Sequence, residues 1–301
     1  MACYTPLKGY RSTELTKNGK RKIVFNRNHG FADLPVTVPC GQCIGCRLER
    51  SRQWAICCTH EASLWEKNCF ITLTYNDENL PKDGSLDVTH FQKFMKRLRK
   101  KHGAGIRFYH CGEYGDKFGR PHYHACLFNH DFEDKTLWKE TNGVPLYRSK
   151  DLESLWTFGH SSVGQVTFQS AAYVARYIMK KVTGDHADNH YTHMDEQGEI
   201  HDRKPEYTTM SRRPGIAHEW FQKYKTDVYP EDFVVLNNKK MRPPKYYDTL
   251  YELTEPRNHR NIKAKRKQAT RQHADNNTPE RLRVREIVQE AKLQLLPRTL
   301  K

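Results

Sequence analysis

Arg120-Pro-His-Tyr-His-Ala-Cys-Leu-Phe128 reads, with a period of two, as a β-strand. His122, His124, Cys126 and Phe128 fall on one face, and Tyr123, Ala125 and Leu127 on the other. Two imidazoles two residues apart point the same way, close enough to share one cation. The chain has 16 histidines, so a His-x-His triplet arises easily by chance. It gains meaning only from its neighbours. Immediately upstream, Ile106-Arg-Phe-Tyr-His-Cys-Gly-Glu113 is a second strand, joined to the first by a short Gly-containing link. So short a link predicts an antiparallel pair. In such a pair Glu113 approaches the imidazoles from across the ladder.

Working outward, Cys69-Phe-Ile-Thr-Leu-Thr-Tyr-Asn76 is apolar and β-branched, and Asn-Asp-Glu-Asn stops it, as a strand requires. Asp87 to Gly103 predicts a helix. Asp87 or Thr89 caps it, Phe91, Phe94, Met95 and Leu98 form its buried stripe, and basic residues crowd its last turn. After Asn129 an insertion leads to a helix over roughly Ser149–Phe158, ended by Gly159. A strand over Ser162–Phe168 follows, then a helix over Ser170–Val182, capped by Ser170 and closed by Gly184. The order β-α-β-β-α-β-α predicts an α+β core: an antiparallel sheet with helices on one side, of ferredoxin-like topology. This core spans 67–184, between a Cys-rich N-terminal region with a helix (1–66) and a basic C-terminal extension (185–301).

The N-terminal region is polar and turn-rich, with short β-like pieces at Lys22–Phe25 and Pro35–Val38. In Pro39-Cys-Gly-Gln-Cys-Ile-Gly-Cys-Arg47, the thiols of Cys40, Cys43 and Cys46 have the C-x-x-C spacing that lets successive thiolates converge on one metal. Cys3 is the candidate fourth ligand for a structural Zn²⁺, with His29 or Cys57 behind it. A reduced Gly/Cys loop competes with the zinc reading, and an iron–sulfur cluster ranks lower because the usual Cys-Pro is missing. Arg47 to Lys67 then reads as a helix with Leu48, Ala55, Cys58, Ala62 and Trp65 on its apolar stripe. In the extension, 185–205 reads as a loop, and a short helix follows Met210-Ser-Arg-Arg-Pro-Gly215. Asn237 to Tyr247 reads as a turn and an extended basic, aromatic segment, and Thr278-Pro-Glu caps a final helix in a loosely packed tail.

Composition narrows the function. Fifty-one Lys and Arg against 35 Asp and Glu give a net charge of +16, which favours a polyanionic partner, most simply nucleic acid. No run of about 18 apolar residues predicts a membrane span. The N-terminus lacks a secretory pattern, so the chain is expected in the cytoplasm of the cell that makes it. Nine cysteines, an odd number, fit a reducing compartment, with Cys58, Cys69 and Cys126 as small buried thiols.

The chemistry-bearing residues fall into two groups. Glu113, His122 and His124 make an open carboxylate–imidazole site; mixed O/N ligands suit Mg²⁺ or Mn²⁺, and Zn²⁺ would also bind. In Tyr173-Val-Ala-Arg-Tyr-Ile-Met-Lys-Lys181 the two tyrosines lie four apart on one helix face, with Lys180 one turn further on. Ala172, Val174, Ala175, Ile178 and Val182 can supply that helix's core contacts.

Phe70-Ile-Thr-Leu-Thr-Tyr75, Pro121-His-Tyr-His-Ala-Cys-Leu-Phe128 and Tyr173-Val-Ala-Arg-Tyr-Ile-Met-Lys180 together resemble motifs I, II and III of the HUH endonucleases. The whole chain, with its Cys40–Cys46 block and Ser211-Arg-Arg-Pro-Gly215, resembles the rolling-circle replication initiators of gokushovirus-type microviruses. The resemblance implies nicking and rejoining of single-stranded DNA at a viral origin through a 5′-phosphotyrosine. Glu113, His122 and His124 would hold the metal and Tyr177 or Tyr173 would be the nucleophile; the Y-x-x-K pattern of Tyr177 and Lys180 favours Tyr177. No G-x-x-x-x-G-K-[ST] is present, so a host helicase and the host replication machinery are the expected partners. The competing readings are a non-catalytic RRM-like nucleic-acid binder, an HUH relaxase or transposase, and a structural zinc protein.

Overall fold

The computed structural model describes residues 3–17, 19–115, 119–141, 143–177, 190–194 and 199–295. The chain divides into two compact units, one of residues 1–50 and 257–298 and the other of residues 51–256.

The larger unit is built on a seven-stranded sheet. Its first members are β4 (Asn68–Tyr75), β5 (Arg107–Tyr114) and β6 (Pro121–Phe128), after the three N-terminal strands β1 (Leu7–Leu15), β2 (Arg21–Val24) and β3 (Gly30–Val38) of the smaller unit. β7 (Thr136–Thr141), β8 (Val144–Arg148) and β9 (Gly159–Gly164) continue it, and β12 (Tyr207–Met210) joins it after a small hairpin of β10 (Thr192–Met194) and β11 (Ile200–Asp202). The spatial order is β12-β5-β6-β4-β9-β8-β7, with every neighbouring pair antiparallel.

Helices cover both faces of this sheet. α2 (Val88–His102) and α3 (Lys150–Leu155) lie on the face that carries Ile71, Leu73, Tyr123, Ala125 and Leu127, and Phe91, Phe94, Met95, Leu98, Leu152 and Trp156 complete the core there. Each such large apolar side chain contributes about 1.5–3 kcal/mol on burial. Asp87 caps α2 through Thr89 N at 2.8 Å, and Gly103 ends it. The opposite face carries α1 (Ile44–Ala62) and α4 (Phe168–Tyr177). Trp54 stacks on Tyr109 at 5.2 Å, Cys58 meets Cys126, and Ser51 Oγ donates to Ala172 O at 2.9 Å. The expectation of helices on one side alone is corrected by this second layer. Tyr109, Cys111, Cys126 and Phe128 share a face with the histidines, and that apolar area must be covered too; seven of the eight β6 residues are buried.

Other boundaries differ for local reasons. The strand expected over Ser162–Phe168 is Gly159–Gly164, because Gly159 begins a strand instead of only stopping α3. Its φ is 150°, and a Cβ there would lie 2.2 Å from Asn76 N, so only glycine fits against β4. α4 starts at Phe168, and its cap is Thr167, not Ser170: Ser170 N donates to Thr167 Oγ1 at 3.0 Å while Thr167 N donates to Ser170 Oγ at 2.8 Å. This is a capping box with Ser in the acidic position. α3 ends at Leu155, three residues early, and α1 begins at Ile44, three residues before Arg47.

The segment expected as part of a C-terminal extension is woven into the larger unit. β12 extends the sheet beyond β5, and the helices His218–Val228 and Lys245–Thr254 pack against α1, where His60 Nδ1 lies 2.7 Å from Tyr247 Oη and its ring stacks on Trp220. The expected turn at Asn237–Asn238 is present, with φ of 49° and 59°, between β13 (Val234–Leu236) and β14 (Lys239–Met241). The extended reading beyond it holds only to Pro244, where the helix begins. Helices Pro256–Arg271 and Pro279–Gln294 follow, the last capped by Thr278. Among the described residues, no helix is long and apolar enough to cross a membrane.

Two histidines are buried neutral: burial lowers His60 to about 3, and burial with neighbouring His102 lowers His130 to about 4. The unfolded chain takes up these protons near pH 6.5 and the folded chain does not. Stability is therefore full above about pH 6.5 and falls as the pH drops toward 4, by up to about 1.4 kcal/mol per pH unit for each histidine. Urea unfolding of His60→Gln is expected to show a slope shallower by about that amount between pH 6 and 4.5. An unchanged slope would remove His60 from the account.

Candidate active site and a cysteine cluster

The strand register brings the His-x-His triplet and Glu113 together. Glu113 pairs directly with His122 across β5 and β6, and Cys111 with His124. Because alternate residues share a face, Glu113 reaches diagonally to the second imidazole, and its Oε1 lies 3.1 Å from His124 Nε2. Both are nearly inaccessible, at 3% and 6% exposure.

Across the other edge of β6, β4 supplies a partner for each ring. Thr72 pairs with His124 and Thr74 with His122, and their hydroxyls lie 3.0 and 2.9 Å from the respective Nδ1 atoms. A hydroxyl both donates and accepts, so it holds either tautomer of the ring and orients Nε2. The period of two in Phe70-Ile-Thr-Leu-Thr-Tyr75 matches that of the histidines, and it is the one sequence signal for these two threonines; the sequence reading assigns them no role. Gly115 also goes unnoticed there: a Cβ on it would lie 2.7 Å from His122 Nε2, so its bare backbone makes room for that ring.

Tyr173 comes from α4. Its ring stands edge-on to His124, with centroids 5.2 Å apart and planes at 87°, and edge-on to Phe70 at 6.4 Å. Glu113, His122, His124 and Tyr173 line one cleft of about 550 Å³. Sequence reasoning does not anticipate the other wall, formed by Trp138, Lys139 and Arg148 from β7 and β8, with His160 from β9. Tyr177 is the last residue of α4; its side chain, Lys180 and Lys181 lie outside the described residues.

A second cluster lies in the smaller unit. Cys3, Cys40, Cys43 and Cys46 bring their sulfurs within 4.8 Å of one another, so Cys3 fills the fourth position and neither His29 nor Cys57 does. The separations are 3.7 Å for Cys3–Cys40, 3.9 Å for Cys3–Cys43 and 4.0 Å for Cys40–Cys46. A tetrahedron with metal–sulfur arms of about 2.3 Å has edges of about 3.8 Å, so the quartet can hold one metal ion such as zinc. Backbone N–H groups of Cys43 and Gln42 donate to Cys40 Sγ, that of Cys40 to Cys3 Sγ and that of Tyr4 to Cys43 Sγ. Burial raises the Cys40 thiol, but the Thr5 hydroxyl and these amides outweigh it and bring it down to about 6, while burial pushes Cys3 and Cys46 up. Among the described residues, this quartet is drawn together more tightly than the Glu113, His122 and His124 group.

Comparison with known proteins agrees with this layout. Residues 68–182 match a family model for replication-associated proteins of the ORF2 type. Replication-associated protein VP4 of Bdellovibrio phage phiMH2K is 36% identical over 267 residues, covering 85% of this chain and 79% of that protein. Replication-associated protein ORF2 of Spiroplasma virus 4 is 32% identical over 280 residues, covering 84% and 81%. Replication-associated protein ORF4 of Chlamydia phage 1 is 31% identical over 261 residues, covering 80% and 60%. No solved structure matches the chain. With over a third of the aligned residues identical across most of both lengths, and the family match centred on the strands that carry the cleft, the chain belongs to the microvirus-type replication-associated proteins.

Proposed function

We propose that this protein nicks and rejoins one DNA strand at a phage origin, starting and ending rolling-circle replication through a 5′-phosphotyrosine. The observation that carries the reading is one cleft lined by a buried carboxylate, two oriented imidazoles and a tyrosine ring. Further support comes from the strand order β5-β6-β4-β9, the order of a ferredoxin-like HUH core. The net charge of +16 suits a DNA substrate, and the relatives' names place them in replication.

Glu113, His122 and His124 would hold Mg²⁺ or Mn²⁺, which when bound polarises the scissile phosphate and steadies its developing charge. Thr72 and Thr74 fix the imidazole orientations. A tyrosine of α4, Tyr177 on its Y-x-x-K pattern with Lys180 one turn on, loses its phenolic proton and attacks phosphorus. The P–O3′ bond breaks, the released O3′ takes up a proton, and the 5′ phosphate stays on the phenol oxygen. Tyr173 is the second tyrosine, and the reverse reaction on the opposite strand end would restore the diester and recircularise the product. A host helicase would open the duplex, in the cytoplasm of the host. The cysteine quartet would hold a structural Zn²⁺.

The test uses single-stranded oligonucleotides tiling the origin of the genome that encodes the protein, with Mn²⁺ or Mg²⁺, on a denaturing gel. A protease-sensitive adduct is expected that persists in Tyr173→Phe and vanishes in Tyr177→Phe. The reverse pattern makes Tyr173 the nucleophile. Salt-sensitive binding with no adduct for any oligonucleotide or metal overturns the proposal in favour of a non-catalytic binder.

A further inference from the structure

β7 and β8 form the outer edge of the sheet, and their register holds an irregularity. Leu137 pairs with Tyr147 and Lys139 with Leu146, so Trp138 is the extra residue of a β-bulge. A bulge bends its strand and re-aims one side chain. Here Trp138 and its neighbour Lys139 line the same cleft as Leu146 and Arg148, opposite the imidazoles and Tyr173. The indole is 50% exposed, although a tryptophan can bury some 150–250 Å² of surface. The core does not use it. Lys139 Nζ lies 4.4 Å from its ring centroid and Arg148 Cζ 5.5 Å, with Arg148 itself braced by Glu153 at 2.6 Å. An exposed, flat π-face among cations on an edge strand is unfavourable for a free surface and suited to a stacked, anionic ligand.

We infer that Trp138 is a stacking platform for one base of the bound single strand, with Lys139 meeting the adjoining phosphate. The inference rests on the reading of the cleft as a strand-nicking site and adds the wall that positions the strand within it. Stacking on an indole suits any base, so Trp138 contributes affinity and register, not sequence choice. Lys139 contributes a salt-dependent contact. Neither side chain supplies a ligand to the proposed metal.

The experiment measures fluorescence anisotropy of a labelled oligonucleotide, of a sequence the full chain nicks, at several salt concentrations. Trp138→Ala is expected to weaken binding about tenfold or more, the size of one lost base–aromatic stack, and Trp138→Phe to recover most of it. Lys139→Ala is expected to reduce the slope of log affinity against log salt by about 0.7. Mn²⁺ binding and melting temperature remain as in the parent chain. If the parent chain binds and nicks while Trp138→Ala binds equally well, the stacking inference is overturned and the nicking reading stands. If the parent chain binds no single strand, both fail. Loss of binding in Lys139→Ala alone marks an electrostatic groove without stacking and also overturns it.

Discussion

Glu113→Gln is expected to reduce adduct formation by at least about a hundredfold while leaving the fold intact, the scale on which removing one preorganised charge acts. The substitution keeps the volume of the side chain and its ability to hydrogen-bond His124 Nε2, 3.1 Å away, but removes the only carboxylate of the proposed ligand set. A divalent cation in that set would then face neutral donors alone, in a site where Glu113 and His124 are at most 6% exposed. Low exposure means that water cannot replace the lost charge. The measurements are Mn²⁺ affinity by calorimetry, adduct rate by gel and unfolding in urea. Metal affinity and rate should fall together, with stability changing little. Thr72→Val is expected to act through His124, lowering metal affinity about 10- to 100-fold because the ring loses its orienting hydroxyl. Saturating Mn²⁺ should rescue Thr72→Val far more than Glu113→Gln. A Glu113→Gln protein that nicks at the parent rate would make Glu113 a structural partner of His124 and no more.

Much of this geometry is legible without coordinates, for physical reasons. A period of two assigns faces to a strand whatever surrounds it, so the shared face of His122 and His124 is secure, and the short link to the preceding strand makes Glu113 their neighbour. Asp87 and Gly103 mark α2 because caps are local chemistry. Long-range packing is illegible. Nothing local in β6 states that α1 will cover Cys126, nor that residues 207–254 will return to the sheet and to His60. The smaller unit joins residues 1–50 with 257–298, and contacts between segments so far apart in sequence leave no trace in periodicity. Trp138 escapes for a related reason: a bulge is a mismatch between two strands, visible only once both are paired.

Removing the metal from the cysteine quartet is expected to have the largest effect on stability, confined to the smaller unit. That unit has a three-stranded sheet, β2-β1-β3, in which most positions are exposed or half-buried; Leu7, Leu15, Ile23 and Leu34 are all exposed. Its described fully buried apolar side chains are few: Cys3, Ile262 and Leu282. So small a core cannot offset the chain entropy of ordering the segment. Structural zinc sites contribute on the order of 10 kcal/mol in comparable small folds, enough to close that gap. Four sulfurs 3.7 to 4.0 Å apart are too distant for disulfides and, without a cation, carry mutually repelling thiolates. Cys40→Ser, or a strong chelator, should release one zinc per chain by metal analysis and make residues 1–50 sensitive to limited proteolysis. The cleft lies wholly within residues 51–256, so Mn²⁺ binding at Glu113, His122 and His124 should survive the same treatment. That separation is the discriminating result: unchanged zinc content in Cys40→Ser would sink the structural-zinc reading, and loss of Mn²⁺ binding along with zinc would contradict the independence of the two centres.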